Sequence, residues 1–161
     1  MSQDTDPADF RRLLGHFATG VTVLTTRTAD GTPAGMTVNS LASVSLEPPL
    51  VSVSIDRTAD VHDALIGAPR FIINILEATQ EGHSRRFAQS ETDRFHGVGW
   101  HPSPEGEPII DGALTHIECE HFAAYPGGDH TILVGRVTGG ATRPGAPLLY
   151  YRGGYTGLER G

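Results

Sequence analysis

Thr37, Asn39 and Ser40 place two hydroxyls and a carboxamide where a core strand would carry Val, Ile or Phe. Such groups can bond the carbonyl and nitrogen edges of a flat polar ring. The same residues also suit a turn, because Asn and Ser bond readily to nearby backbone. Ser43 with Ser45, then Ser52 with Ser54, continue the polar pattern at a spacing of two. In extended chain that spacing puts each pair on one face, which either leaves room for a planar ligand or meets solvent. Pattern alone does not separate the two readings.

Two further clusters carry charge. Ser84, Arg85 and Arg86 fall near the start of a predicted short helix, where a hydroxyl, a guanidinium fork and the positive helix end suit a phosphate. A solvated basic face accounts for at least one of the two arginines equally well. Arg57 and Thr58 follow a predicted strand and offer a second anion site of the same kind. Gly128-Asp129-His130 reads first as a hairpin turn. A histidine at a strand end can also project over a barrel mouth and bond an amide or a developing charge. The chain has 8 histidines but no HExxH, and His116, His121 and His130 fit no common zinc spacing, so no metal is expected. GxSxG, P-loop and GxGxxG elements are absent as well, which removes Rossmann-type dinucleotide binding.

These residues need a scaffold, and the patterning supplies one. Asp6-Pro7-Ala8-Asp9 starts a helix whose Phe10, Leu13, Leu14 and Phe17 form one buried face, ended by Thr19-Gly20. Strands are predicted over 21–26, 34–38, 41–46, 50–55, 71–76, 113–122, 131–137 and 148–151, with Pro48-Pro49 at a corner no central ladder would tolerate. Asp60 and Thr79 are the expected caps of two short helices, the second carrying Ser84 to Ala88. The Gly- and Pro-rich stretch 89–107 reads as a long functional or interfacial loop. Many short strands with few helices predict a mostly β protein built on a closed antiparallel barrel.

Composition narrows the class. The 161 residues fit a single domain over 1–161, with 1–8 as a flexible N-terminus. With 12 basic and 19 acidic residues the net charge is −7, which argues against nucleic-acid binding. Cys119 is the only cysteine, so neither an internal disulfide nor a cysteine-rich metal site is available. The polar N-terminus shows no signal peptide, and the apolar runs are too short to span a bilayer. A cytoplasmic protein with no membrane partner is expected.

Order and spacing then point to a family. Phe17-Ala18-Thr19-Gly20-Val21-Thr22-Val23 leads into Gly35-Met36-Thr37-Val38-Asn39-Ser40. Ser43-Val44-Ser45, Pro48-Pro49-Leu50-Val51, Asn74-Ile75-Leu76, Gly128-Asp129-His130 and Pro147-Leu148-Leu149-Tyr150 follow. From about Phe10 to Tyr155 this order resembles the flavin reductases that are small components of two-component flavin monooxygenases. The resemblance implies an FMN-binding split β-barrel of Greek-key type and a homodimer with flavin sites near the subunit interface. It implies that Met36, Thr37, Val38, Asn39 and Ser40 border the isoalloxazine ring of FMN or FAD. Ser54, Asp56 and Arg57 would lie along the ribityl chain or phosphate, and Ser84, Arg86 and Phe87 would hold the phosphate end. His130 would sit at the nicotinamide of NADH or NADPH, with Tyr155 as a neighbour. The implied reaction is hydride transfer from nicotinamide to flavin, then release of reduced flavin to a partner flavin-dependent monooxygenase. The net negative charge favours NADH over the more anionic NADPH. A flavin- or haem-binding protein on the same barrel, without reductase activity, is the alternative. A pyridoxamine-phosphate oxidase would need more basic residues for its substrate's phosphate.

Overall fold

The structure, a computed structural model, describes residues 4–90 and 93–159. It opens on helix α1 (Pro7–Leu14), where the Asp6 carboxylate accepts from the Ala8 N–H at 2.7 Å and Pro7 fills the first turn. Of the N-terminal residues expected to be flexible, 1–3 lie outside the described residues, while Pro7 and Ala8 belong to this turn. The helix ends at Gly15, before Phe17, and Thr19-Gly20 forms a short strand, β1 (Thr19–Gly20). The expected buried face is not buried: Phe10 and Leu13 are each 56% exposed, Leu14 52% and Phe17 73%. The apolar stripe is real, but nothing among the described residues covers it.

Strands β2 (Thr22–Arg27), β3 (Pro33–Val38), β4 (Ala42–Leu46) and β5 (Pro49–Asp56) follow. The Glu47–Pro48 peptide between the last two is cis, and Pro49 takes the first position of its strand, where a missing N–H is tolerated. Helix α2 (His62–Gly67), strand β6 (Arg70–Ile75) and helix α3 (Glu81–Phe87) come next, then the hairpin β7 (Trp100–Pro102) and β8 (Pro108–Ile110) inside and just beyond the expected loop. The long strands β9 (Thr115–Gly127) and β10 (His130–Thr142) precede a last hairpin, β11 (Leu149–Tyr151) and β12 (Gly154–Thr156).

Seven strands make one antiparallel sheet in the order β3-β2-β6-β9-β10-β5-β4. Successive β6, β9 and β10 lie side by side, and the earlier β5 pairs with β10, which is a Greek-key connection. The ladder does not close, so the expected closed barrel is a split one. The only described side-chain bonds across the gap there run from Ser40, whose hydroxyl accepts from the Ser54 N–H at 2.9 Å and donates to the Ser54 carbonyl at 3.2 Å.

Strand periodicity divides β2 between two cores. Leu24 packs with Val53, Ile55, Phe71, Ile73 and Leu133 inside the barrel. Val21 and Val23 point the other way, to Leu76, Phe87, Ile110 and Leu148 beneath α3 and β11. Each such fully buried side chain contributes about 1.5–3 kcal/mol. Asn74, which interrupts the apolar run of β6, stitches the second core together. Its amide donates to the Val23 carbonyl at 2.9 Å and the Thr25 hydroxyl at 3.0 Å, and its oxygen accepts from the Ile110 N–H at 2.9 Å. No described helix is long and apolar enough to cross a membrane.

Candidate active site

A cleft of about 230 Å³ opens over the second core, between β3, α3 and the β11–β12 hairpin. Val21, Val38 and Ala88 give it an apolar lining, Tyr150 and Tyr155 form an aromatic side, and Thr37, Asn39 and Ser84 supply polar groups. β3 is an edge strand of the sheet, so part of its backbone faces away from the ladder toward this cleft. Two antiparallel residues, Tyr150 and Tyr155, pair directly across the hairpin with ring centroids 5.4 Å apart in edge-to-face contact. An apolar slot with an aromatic side and a few polar groups suits a flat heteroaromatic ring.

The polar residues of the cleft hold one another. Thr37 donates to the Ser84 carbonyl at 2.6 Å, and the Ser84 hydroxyl lies 2.8 Å from the Tyr155 hydroxyl. Arg85 forms an ion pair with Glu81 at 2.7 Å and stacks over the Tyr155 ring at 4.8 Å. Asn39 differs: its side chain makes no hydrogen bond among the described residues, and it lines this cleft and two adjoining hollows.

Several sequence-predicted contacts are corrected here. Phe87 is 1% exposed in the second core, edge-on to Phe95, and has no face left for a ligand. Arg86 spends its guanidinium on the Arg94 carbonyl at 2.7 Å and the Asp93 carbonyl at 3.1 Å. The Ser84 hydroxyl is buried against Tyr155, so the side chains of Ser84, Arg86 and Phe87, expected at a phosphate, are each engaged within the protein. Met36 packs toward the barrel core, and Ser40 bridges to β5. Neither expected helix cap forms. Asp60 accepts instead from the buried Arg94 guanidinium at 2.8 Å, and the Thr79 hydroxyl bonds Glu77 at 2.5 Å.

The remaining predicted residues gather at the end of β5. Ser54 carries the Ser40 bridge; Asp56 lies two residues on, about 7 Å along the strand, and pairs in register with His130. Gly128 and Asp129 form the tight turn between β9 and β10, with Gly128 at φ +67 as the first central position of such a turn requires. The His130 Nδ1 lies 2.7 Å from the Asp129 carboxylate, which can only accept, so Nδ1 carries the hydrogen. The Arg57 backbone N–H donates to the Asp129 carbonyl at 3.0 Å. Hydrogen bonds from the Thr58 N–H and hydroxyl hold the Asp56 carboxyl below its usual range, with His130 and His62 adding charge of the right sign. The two groups of predicted residues are thus joined through Ser40 and Ser54 along the rim of the split barrel.

No candidate nucleophile emerges from the cysteine. Burial pushes the Cys119 thiol up to about 12, beneath Phe71 and Gly135. No cluster of three or more His, Cys, Asp or Glu among the described residues is placed to hold a metal. Sequence reasoning missed Val21, Ala88 and Tyr150 as lining residues. Tyr150 had a legible signal, since Tyr-Tyr-Arg-Gly-Gly-Tyr puts two extended aromatic runs around an Arg-Gly turn.

A split Greek-key barrel with an aromatic-sided cleft beside an edge strand defines a protein built to hold a flat ring ligand. A family model of the flavin reductase-like domain matches residues 14–159. The chain is 42% identical over 162 residues to the reductase subunit of a flavin-dependent monooxygenase, HsaB, of Mycobacterium tuberculosis, covering 99% of this chain and 86% of that protein. It is 45% identical over 151 residues to the FMN reductase (NADH) SmoA of Agrobacterium fabrum, covering 94% and 86%. The NADH:FAD oxidoreductase SgcE6 of Streptomyces globisporus, solved with NAD and FAD fragments, superposes with a TM-score of 0.90 at 40% identity, covering 98% of each chain. This chain belongs to the flavin reductase-like family.

Proposed function

We propose that the chain is an NADH-dependent flavin reductase that reduces FMN or FAD and passes the reduced flavin to a partner monooxygenase. The cleft of Thr37, Asn39, Tyr150 and Tyr155 carries this reading, on a chain whose relatives at 42% and 45% identity are named as reductases of this kind. Thr37, Val38 and Asn39 border the ring, with Tyr150 and Tyr155 against it and Ser84 fixing Tyr155 from behind. Ser54, Asp56 and Arg57 continue along the rim toward the ribityl and phosphate groups, where the Arg57 guanidinium supplies positive charge. When bound, the flavin accepts the hydride from reduced nicotinamide and carries the electrons away.

The protein's part is to bind and orient. His130 donates Nδ1–H to Asp129, which leaves Nε2 without a partner among the described residues and able to bond the nicotinamide amide. Carboxylates at Asp56, Asp63 and Asp129 surround that corner and disfavour the extra phosphate of NADPH. The reaction needs a supply of reduced nicotinamide, which supports a cytoplasmic location.

A homodimer is part of the proposal. Register pairs put Ser52 with Val134 and Ala123, and Ser54 with Ile132 and Tyr125, on the sheet face opposite the barrel core. Val44, Phe122 and Tyr125, each at least half exposed, lie on the strands of this region, which makes it the face for a second copy. Sedimentation should give twice the chain mass, and Tyr125→Lys should lower it toward the monomer.

Absorbance of NADH during incubation with FMN, FAD or riboflavin tests the activity. Steady oxidation is expected with at least one of them; none with any would leave only a binding protein.

A further inference from the structure

Tyr155 forms one side of the cleft, yet little of the backbone holds it there. Its strand β12 has three residues and, among the described residues, pairs with β11 alone, at the edge of a sheet separate from the seven-stranded one. Three side chains fix the ring instead. The Ser84 hydroxyl lies 2.8 Å from its hydroxyl, Tyr150 meets it edge to face at 5.4 Å, and the Arg85 guanidinium lies over it at 4.8 Å. Ser84 and Tyr150 belong to the cleft lining; Arg85 does not.

The guanidinium is itself held. Its Nη2 lies 2.7 Å from a Glu81 carboxylate oxygen, and its Nε–H donates to the same oxygen at 2.8 Å. Glu81 stands four residues earlier on α3, the favourable order for a helical pair. Side-chain exposures of 63% and 46% mean that the pair adds little to folding stability. Its effect is on where the guanidinium sits. A long exposed arginine left alone samples many rotamers, whereas this one is kept within reach of a cation–π contact with Tyr155. Its neighbour Arg86 is turned to the carbonyls of Asp93 and Arg94 and takes no part.

We infer that Arg85, anchored by Glu81, is a positioning residue for the flavin: it holds the Tyr155 ring as a preformed wall of the cleft. The inference rests on the flavin reductase reading and deepens it. A ring already ordered in the free protein does not have to be ordered when the flavin binds, which raises affinity. Because Glu81 balances its charge, Arg85 acts through the place of the ring and weighs equally on oxidised and reduced flavin. Because it acts at the ring of the ligand, it weighs equally on FMN and on riboflavin, which has no phosphate.

The experiment compares the wild-type protein with two variants. Arg85→Met keeps an unbranched stem and loses the guanidinium. The exchange Glu81→Arg/Arg85→Glu keeps an ion pair on the helix but moves the guanidinium about 6 Å along it, away from Tyr155. Thermal unfolding of the three proteins should agree within about 2 °C, as for other exposed substitutions. Both variants should bind FMN and riboflavin about fivefold more weakly, in oxidised and reduced forms alike. Bound flavin should also keep more of its fluorescence, because a tyrosine ring in close contact quenches it. In the flavin-free wild type the Arg85 Hδ protons should resonate upfield under the Tyr155 ring current, and Tyr155→Leu should abolish that shift. Affinity within about twofold of wild type in either variant overturns the inference. A loss for FMN but not for riboflavin overturns it too and gives Arg85 to the phosphate. A loss confined to reduced flavin overturns it in favour of a direct effect of charge. Failure of the wild type to bind any flavin strikes the reductase reading instead, and the proton shift then still decides whether Arg85 holds the ring.

Discussion

At the cleft, Thr37 donates to the Ser84 carbonyl and Ser84 meets the Tyr155 hydroxyl, so its hydroxyls are committed inside the protein. At the His130 corner, one imidazole nitrogen is taken by the exposed Asp129, and Nε2 has no described partner. The first arrangement fixes the shape of a slot; the second keeps polar groups ready for something outside the chain. Bonds made within the fold are paid out in stability, and groups left open are paid out in binding. The two regions should therefore respond oppositely to substitution.

The largest effect is expected behind the cleft. Arg94, 7% exposed, donates to the Gln89 carbonyl, to the Gly35 carbonyl at 3.1 Å and to Asp60 at 2.8 Å. Through these bonds it ties the segment after α3 to β3 and to the turn before α2. Arg94→Ala leaves the buried Gly35 carbonyl unpaired, while the half-exposed Asp60 carboxylate returns to water, and should cost about 2–3 kcal/mol, read as a lower urea midpoint. A loss under about 1 kcal/mol would mean that water replaces the guanidinium without penalty. Thr37→Val comes next. It removes one buried-side bond and should cost about 1–2 kcal/mol while also weakening flavin binding, because α3 carries Ser84.

The His130 corner should show the reverse. His130→Ala removes no bond from the core, so stability should stay within about 0.5 kcal/mol. The kcat/KM for NADH should fall about tenfold, the loss of one oriented hydrogen bond. Unfolding curves and NADH titrations on the same preparation separate the two readouts. Equal losses of stability in Thr37→Val and His130→Ala would erase the contrast.

Much of the scaffold was legible because it follows from local rules. The strand runs, the Asp6-Pro7 helix start and the Gly128-Asp129 turn all depend on neighbours in the chain, and the structure forms each of them. The long-range partners were not legible. Asp60 and Thr79 look like caps from their own neighbourhoods, yet Arg94 claims one and Glu77 the other. The stripe of α1 has the period of a buried face, but periodicity says only that a face is apolar, not which surface covers it. In the site, Thr37 and Asn39 lie together on the cleft as their spacing suggested, whereas the Ser84 hydroxyl, Arg86 and Phe87 are engaged within the protein. Tyr155 owes its place to a pairing with Tyr150 that only the hairpin register reveals.

The smallest expected effect concerns pH and again distinguishes the two regions. His83 stands on α3 beside Ser84, and partial burial, helped by the positive charge of Arg86, lowers its pKa from the ordinary 6.5. The unfolded chain then takes up a proton at a higher pH than the folded one does. Folding stability is therefore unaffected well above pH 6.5 and declines as the pH falls below it, levelling off once the folded form is also protonated. Because α3 holds Ser84 against Thr37 and Tyr155, flavin affinity should weaken over the same window. His83→Gln keeps a polar side chain and removes the titration, so its urea midpoint should change less between pH 7 and pH 5 than that of the wild type. Identical pH dependence in the two proteins would show that acid acts elsewhere, and the His130 corner would be the next place to substitute.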